Sequence, residues 1–277
     1  MSPTEAVIRQ ELPEPRRASL GVETRSTQLD VGMLAGVIIV LVATAAGIAL
    51  TGVSAGYFFQ PTGVLIVVGG TLGVMFITTP GRVLLHSAQR VKELFWRPRV
   101  SREALIEELV SYSRTARTNG LLAIEPLIAQ VSDSFLAEAL LLALDVEERA
   151  QLQAMLETKI RLRERHGEAD AKALEVAGGF APTIGVLGTV VGLIDVLRQF
   201  SNLSSVSAGI GTAFISTIYG LALANLLLLP AAHRIRARAA ETFETQELIA
   251  EGVLCLFEGI HPSLVLERLN SFLREEA

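Results

Sequence analysis

Three hydroxyl residues of this 277-residue chain fall at matching depths of two apolar segments. At about 1.5 Å of helix rise per residue, Thr189 lies roughly 18 Å from the inner end of segment 176–197. By the same measure, Thr217 lies roughly 20 Å from the inner end of segment 210–230, and Ser216 is its neighbour. Hydroxyl oxygens can take the place of water around a hard cation. The spacing therefore leaves two uses open for these side chains, namely ordinary packing of membrane helices, which composition alone favours, and an ion pathway.

Both segments lack an ionisable residue at mid-depth. Residues 176–194 and 199–232 contain no Asp, Glu, Lys or Arg, although a proton or cation pathway normally needs one such group inside the membrane. Asp195 stands near the outer end of its segment, three residues from Arg198, and is expected to be an interfacial acid that pairs with Arg198 or water. If ions cross here, another chain must supply the carboxylate.

Small residues follow one face of the first of these segments. Gly185, Gly188 and Gly192 occur at positions i, i+3 and i+7, so they share a face on which another helix can approach closely. We expect this face to pack closely against another helix.

The sequence carries no recognisable enzyme site. A phosphate-binding loop, HExxH, CxxC and GxSxG are all absent, and the single cysteine, Cys255, excludes an internal disulfide. His166, Glu168 and Asp170 could be imagined as metal ligands, but they occur in a strongly charged helical segment and are expected on a solvated face. The prediction is a protein that is not an enzyme, with no cofactor, no metal site and no nucleic-acid partner.

The apolar segments predict a membrane protein. Hydrophobic residues make up 50% of the chain and charged residues 19%, whereas a soluble domain has about 25% charged residues. Residues 31–81 form a further charge-free run. One crossing takes about 20 helical residues, so the three runs predict four spans, at residues 31–51, 62–79, 176–197 and 210–230.

The basic residues set the orientation. Arg and Lys cluster before the first span, after the second and after the fourth, whereas loops 52–61 and 199–209 contain none. Positive residues stay on the cytoplasmic side, so both termini and residues 82–175 are expected in the cytoplasm, and the spans are expected to contact membrane lipid. The predicted parts are a disordered tail (1–29), spans one and two (30–81), a cytoplasmic helical domain (82–175), spans three and four (176–230) and cytoplasmic C-terminal helices (231–277).

The cytoplasmic parts predict helices only, which makes the fold class all-α. A helix begins at Ser101 and stops at Asn119-Gly120, a common helix ending. The segment 124–144 follows, with Pro126 suited to a first turn. A long charged helix is expected to run into span three, another to leave span four, and a last short helix to form from HPSLVLERLNSFL.

The order of four motifs resembles the A subunits of the bacterial flagellar stator, the MotA/PomA family. These motifs are VLIVVGGTLG, APTIGVLGTVVGLI, GTAFISTIYGLALANLLLLP and EGIHPSLVLERLNSFL. The second is also similar to a motif of TolQ and ExbB proteins, which have three spans in a different order. The resemblance implies a ring of five A subunits around two copies of a single-span B subunit. It further implies that the aspartate of the B subunit carries the ion and that the cytoplasmic domain acts on the rotor switch protein. By the same resemblance the complex lies in the bacterial inner membrane, and the face of Gly185, Gly188 and Gly192 lines the central hole of the ring.

The resemblance also assigns roles to residues. ARTNGLLAIE is similar to the stretch in which a basic residue and a glutamate act on the rotor, which implies Arg117 and Glu125 here. Thr118 stands where the family often has a second basic residue, and the alternative is that the two charges only complement helix ends. Pro182 and Pro230 match family prolines that couple conformational change, and helix termination is the alternative for them.

The resemblance further bears on the transported ion. The separation of 28 positions between Thr189 and Thr217 equals that of a hydroxyl pair in sodium-type members, which favours sodium over protons. Two other functions stay open. One is an ion-driven motor of the same fold in another envelope system, such as gliding, TolQ/ExbB-like energisation or defence; the other is a structural membrane scaffold without ion flow.

Overall fold

The structure is a computed structural model that describes residues 28–29, 31–52, 54–94, 96–97, 101–198 and 203–274. The predicted disordered tail lies outside the described residues, apart from its last two positions. Gln28–Leu29 pairs antiparallel with Trp96–Arg97, although no strand was expected, because two residues are too few to produce a strand pattern in a sequence. The other regular elements of the described ranges are helical, and the all-α fold class is confirmed.

The helices follow one another with short connections. In chain order the α-helices are α1 Val31–Leu50, α2 Pro61–Val64, α3 Gly70–Thr78, α4 Gly81–Glu93, α5 Arg102–Asn119, α6 Ser134–Asp145, α7 Arg149–Arg198, α8 Leu203–Ala222, α9 Leu229–Phe257 and α10 Pro262–Arg274. Two 3₁₀ segments, Ala55–Phe58 and Leu121–Gln130, and two π-helical segments, Leu65–Gly69 and Leu223–Leu228, complete them.

Two long helices connect the apolar and the charged parts of the chain. α7 has 50 residues, which corresponds to roughly 75 Å, and it includes both the charged segment and the apolar residues 176–197. The helical stretch of α8, the second π segment and α9 runs without a break from residue 203 to 257. The predicted continuation of both spans as helices outside the apolar region is therefore confirmed.

Three helical stretches of the described chain are long and apolar enough to cross a membrane, namely Gly56–Thr78, Arg149–Arg198 and Gly209–Phe257. The apolar stretch of α1 is shorter, Leu34–Leu50, and its large side chains are exposed, with Ile39 at 66%. A helix that is apolar all round and exposed is stable only against lipid or other protein.

A separate apolar core holds the charged-helix region together. Buried side chains of α5, α6, α9 and α10 form it around Leu109, Leu136, Leu248 and Leu269, with α7 contributing from its first turns. The predicted beginning and end of α5 are confirmed, since Ser101 accepts a hydrogen bond from the Ala104 N–H and the helix stops before Gly120 at φ 85°.

The segment after α5 differs from the expectation of one helix. The structure has a 3₁₀ segment, Leu121–Gln130, with Pro126 inside it, and α6 then begins at Ser134. Asp133 caps α6 by accepting the N–H groups of Phe135 and Leu136. The helix is interrupted here because the Asp133 side chain bonds to the N–H groups of the next turn, which favours the start of a new helix over a continuous one.

Where the membrane helices meet this region, α4, α7 and α9 share a small core that includes Leu94, Ala171 and Ile235. The Arg238 guanidinium donates to the carbonyl oxygens of Glu93 and Leu94, each at 2.7 Å. Cations at a helix C-terminus satisfy its free carbonyls, so the end of α4 is anchored to α9.

Candidate functional site

The glycine face of α7 packs against α8 of the same chain. A Cβ atom added at Gly185 would lie 2.9 Å from the Ser216 carbonyl oxygen, and one at Gly192 would lie 2.8 Å from the Ala213 nitrogen. All three glycines of this face are buried. The expected close approach of another helix is present, but that helix is the next one in the chain. The prediction that this face lines a central hole is therefore wrong for this structure, because α8 already covers it.

Ser216 lies on a different side of α8 from the one expected. Its side chain is fully buried, and its Oγ would be 2.9 Å from a Cβ atom at either Gly188 or Gly63. Ser216 thus sits between α7 and the start of the second span, in a contact that only small residues permit. The structure does not bring it to the partly exposed surface that holds the two threonines.

Thr189 and Thr217 do come together. Their Oγ1 atoms are 2.5 Å apart, and the Thr189 Oγ1 also lies 3.0 Å from the Ala213 carbonyl oxygen and 3.2 Å from that of Gly185. Each hydroxyl has a single proton to donate, so several lone pairs of these four oxygens stay available. The pair is partly exposed on the α7–α8 surface. This arrangement can offer oxygens to a cation or a hydrogen bond to a carboxyl group.

Both predicted coupling prolines lie inside long helices rather than at their ends. Pro182 is within α7, where its Cα would be 3.2 Å from a Cβ atom at Gly220 of α8. Pro230 is the second residue after the π segment Leu223–Leu228, which is followed by Leu229, whose N–H bonds to the Ala224 carbonyl oxygen, and the helix continues through Pro230 into α9. Proline lacks the N–H that a regular helix needs, and π segments often mark functional places. Neither proline terminates its helix.

Tyr219 ties α8 to the turn before the second span. Its hydroxyl donates to the Phe58 carbonyl oxygen and accepts the Gln60 N–H at 3.2 Å, while its ring lies near Gly63. The sequence reasoning missed this residue. A tyrosine two positions after a candidate ion ligand in an apolar helix was the available signal, since a tyrosine hydroxyl in such surroundings needs a partner. Asp195, on the last turns of α7, is exposed.

The two predicted rotor residues are exposed on the helices between the second and third predicted spans. Arg117 lies in the last turn of α5, and Glu125 lies in the 3₁₀ segment that follows Gly120. A cavity of about 430 Å³ opens beside Arg117, between α5 and α10. Glu125 does not line it. The structure therefore places the two charges on neighbouring but distinct elements.

Asp170 is a buried acid where α4 crosses α7, just below the membrane segment. It is 3% exposed, and the Ser87 hydroxyl lies 3.4 Å from its Oδ1. Its Oδ2 is 3.8 Å from Arg90 Nε and 3.9 Å from His86 Nδ1. Loss of water raises the pKa of Asp170, and this outweighs the opposing effect of the neighbouring positive charges.

The burial of Asp170 corrects a prediction. His166 and Glu168 are exposed, as expected of a solvated face, but Asp170 is not. Position 170 falls on the helix face that meets α4, which the charged sequence did not reveal. Within the described residues no group of three His, Cys, Asp or Glu side chains is arranged to hold a metal ion.

The chain is similar to known proteins along most of its length. Residues 128–247 match the MotA/TolQ/ExbB proton channel family, and residues 34–120 match the N-terminal family of motility protein A. Motility protein A of Bacillus subtilis is 30% identical over 249 residues, which is 88% of this chain and 91% of that protein. The chemotaxis protein PomA of Vibrio alginolyticus is 26% identical over 244 residues, 88% of this chain and 94% of PomA.

Solved structures show the same similarity. The flagellar MotAB stator complex from Bacillus subtilis contains a chain that superposes with a TM-score of 0.78 at 30% identity, covering 85% of this chain and 92% of that one. C. jejuni MotAB has the same fold, with a TM-score of 0.82 at 24% identity over 88% and 96% of the two chains. A proton channel family comprises transport proteins rather than enzymes, as predicted. The chain belongs to the MotA/TolQ/ExbB proton channel family, and within it to the relatives of motility protein A.

Proposed function

We propose that this protein is the A subunit of a flagellar stator, which couples ion flow across the inner membrane to torque on the rotor. The observation that carries the proposal is the partly exposed cluster of Thr189, Thr217 and two backbone carbonyl oxygens on the α7–α8 surface. It supplies ion ligands in a region whose sequence has no acid or base at mid-depth. The similarity to motility protein A supports the same function.

A single-span B subunit supplies the missing acid. The Bacillus subtilis relative was solved as a MotAB complex, and an intramembrane carboxylate next to the threonine pair would complete an ion pathway here. The stoichiometry of the proposal, five A chains around two B chains, comes from the family resemblance. In this assembly the exposed apolar surface of α1 is available to lipid or to neighbouring chains.

The proposed topology has four crossings with both termini in the cytoplasm. Its five parts are the tail (1–29), spans one and two (30–81), the helical domain (82–175), spans three and four (176–230) and the C-terminal helices (231–277). The pairing of Gln28–Leu29 with Trp96–Arg97 supports it, because it holds the beginning of α1 beside the chain that leaves α4.

We favour sodium over the proton as the transported ion. Sodium has to exchange water for several oxygens, and the Thr189–Thr217 pair with the Gly185 and Ala213 carbonyls offers four from one chain. A proton requires only the carboxylate of the partner and a chain of water. Torque then passes through helices α7 and α9, which contain Pro182 and Pro230, to Arg117 and Glu125.

The test is motor speed as external sodium is varied at constant proton motive force, in cells that express this chain with its B subunit. Speed should fall as sodium is removed, and Thr189→Ala should raise the sodium needed for half-maximal speed. Thr189→Ser is the matched control because it keeps the hydroxyl. Full speed at micromolar sodium contradicts the sodium proposal and leaves a proton-driven stator. Absence of any ion-dependent phenotype contradicts the stator function itself and favours a scaffold.

A further inference from the structure

An irregular turn of the chain lies near the depth of the candidate ion site. It comprises residues 54–60, in which the 3₁₀ segment Ala55–Phe58 precedes the second span, and it faces outward in the proposed topology. Its contact with α8 is made by Tyr219, which stands only two positions after Thr217. Two positions correspond to about 3 Å along the helix axis, so the turn is held close to the level of the threonine pair.

Backbone groups at this depth need hydrogen-bond partners inside the protein, because the bilayer core has no water to replace them. Phe59 and Gln60 have ψ angles of 84° and 95°, far from the helical value of about −42°, so the helical ladder is interrupted here. The Tyr219 hydroxyl donates to the Phe58 carbonyl oxygen and accepts the Gln60 N–H at 3.2 Å. One side chain of α8 thus holds both sides of the bend that leads into the second span.

The beginning of the second span is wedged against α8, and α8 against α7. A Cβ atom at Gly63 would lie 2.9 Å from the Ser216 Oγ and 3.5 Å from two ring carbons of Tyr219. A Cβ atom at Gly188 of α7 would lie 2.7 Å from the Ser216 Cβ. Thr189 is the residue after Gly188. A displacement of the second span would therefore be transmitted through Ser216 to α7 beside the candidate ion site.

We propose that Tyr219 is a positioning residue for the transported ion: by fixing the turn, it holds the second span in place and thereby sets the distances within the Thr189–Thr217 pair. The inference rests on the proposed stator function and deepens it. The Thr189 Oγ1 lies 2.5 Å from the Thr217 Oγ1 and 3.0 Å from the Ala213 carbonyl oxygen, so the candidate ligands come from both helices. Their spacing depends on how α7 and α8 pack.

The tyrosine does not touch the ion and acts only through this packing. Groups of this kind matter because ligand oxygens have to be held within about 0.5 Å of their working geometry. Loss of a group that directly supports a metal ligand typically costs about 10–100-fold in affinity. Since Tyr219 acts through one further contact, its hydroxyl should contribute less than that.

The experiment measures the speed of a motor driven by one stator unit as the external ion concentration varies, in cells that express the intact A–B complex. The ion is sodium at constant proton motive force, or the proton where the unmodified complex does not respond to sodium. Tyr219→Phe removes the hydroxyl. Tyr57→Phe is the matched control, because Tyr57 lies in the same turn and is 64% exposed. Gly63→Ala disturbs the same contact by steric means, and Gly69→Ala is its control, since its new Cβ atom has nothing within 4 Å.

We expect Tyr219→Phe to raise the half-saturating ion concentration about threefold to tenfold, with little change in the speed at saturation. Gly63→Ala should raise the half-saturating concentration as well, and both controls should match the unmodified complex. This separation of half-saturation from maximal speed distinguishes positioning of the ion from a contribution to folding alone.

A lower maximal speed in Tyr219→Phe at an unchanged half-saturating concentration would overturn the proposal, because the tyrosine would then only support the fold. An equal rise in Tyr57→Phe would also overturn it, as would a rise in Gly63→Ala without one in Tyr219→Phe. Should Tyr219→Phe not assemble, an unchanged half-saturating concentration in Gly63→Ala would overturn it instead. An unmodified complex whose speed responds to neither ion would refute the stator function itself.

Discussion

Replacing Gly185 by alanine tests whether the contact between α7 and α8 holds the threonine pair in place. The new Cβ atom would meet the Ser216 carbonyl oxygen at 2.9 Å, the Gly220 Cα at 3.2 Å and the Thr217 Cα at 3.3 Å. All three are backbone atoms of α8, so a change of side-chain rotamer cannot relieve the clash and the helices must move apart. The Gly185 carbonyl oxygen is itself 3.2 Å from Thr189 Oγ1, which links this shift to the candidate ion site.

The magnitude follows from two opposing effects. Overpacking costs about 1–3 kcal/mol, whereas alanine is favoured over glycine inside a helix by about 0.8–1.0 kcal/mol. Gly185→Ala should therefore destabilise the protein by about 0–2 kcal/mol. Gly179→Ala in the same helix has nothing within 4 Å of its new Cβ atom, so it should only gain the helix preference and serves as the matched control.

The difference between these two variants isolates the steric cost. At about 2–4 °C per kcal/mol for a chain of this size, a cost of about 1–3 kcal/mol gives a Tm for Gly185→Ala about 2–12 °C below that of Gly179→Ala. Gly178→Ala should fall between them, because its Cβ atom would meet mainly the flexible Leu229 side chain at 2.7 Å.

The assay is thermal unfolding of the purified A–B complex, followed by helical circular dichroism, together with motor speed at saturating sodium. Speed should drop in Gly185→Ala and stay unchanged in Gly179→Ala. Equal melting temperatures for these two variants would refute the close α7–α8 contact. A large loss of stability with normal speed would separate that contact from the ion site.

The other predictions concern three places in the chain. Tyr219→Phe removes a hydroxyl that bonds two backbone groups, so it should cost about 1–3 kcal/mol and lower the Tm of the complex. For Asp170 the pKa is raised in the folded state, so the folded protein binds this proton more tightly and stability falls as pH rises from the ordinary carboxyl pKa through the raised one. Asp170→Asn should flatten that part of the Tm–pH curve, and an unchanged curve would contradict the assigned shift. The double variant Arg117→Glu/Glu125→Lys should impair swimming while the complex still assembles in the membrane, and normal swimming would rule out a role of this pair in torque.

Much of the architecture could be predicted from the sequence alone. Charge-free runs indicated the apolar spans, because a run of about 20 residues without a charge is rare outside a membrane. The depth of Thr189 and Thr217 could be counted from the span ends because helix rise per residue is nearly constant. This estimate put the two side chains at the same depth in their spans, and in the structure they are joined by a hydrogen bond. Local signals at Ser101 and Gly120 likewise marked the ends of α5 correctly.

The tertiary structure decided which neighbour each face meets. The spacing of Gly185, Gly188 and Gly192 predicts a close helix contact but is silent on whether the partner is α8 or another chain. For the same reason the sequence did not indicate that Ser216 is buried beside Gly63.

Asp170 and the cavity between α5 and α10 show the same dependence on packing. A charged stretch of sequence gave no sign that α4 would cover position 170, and the cavity joins Arg114 to His261 across 147 positions. Periodicity and capping are local properties of a few neighbouring residues, so they can be recognised from the sequence. Contacts between distant segments depend on how whole helices pack, and only the folded chain specifies them.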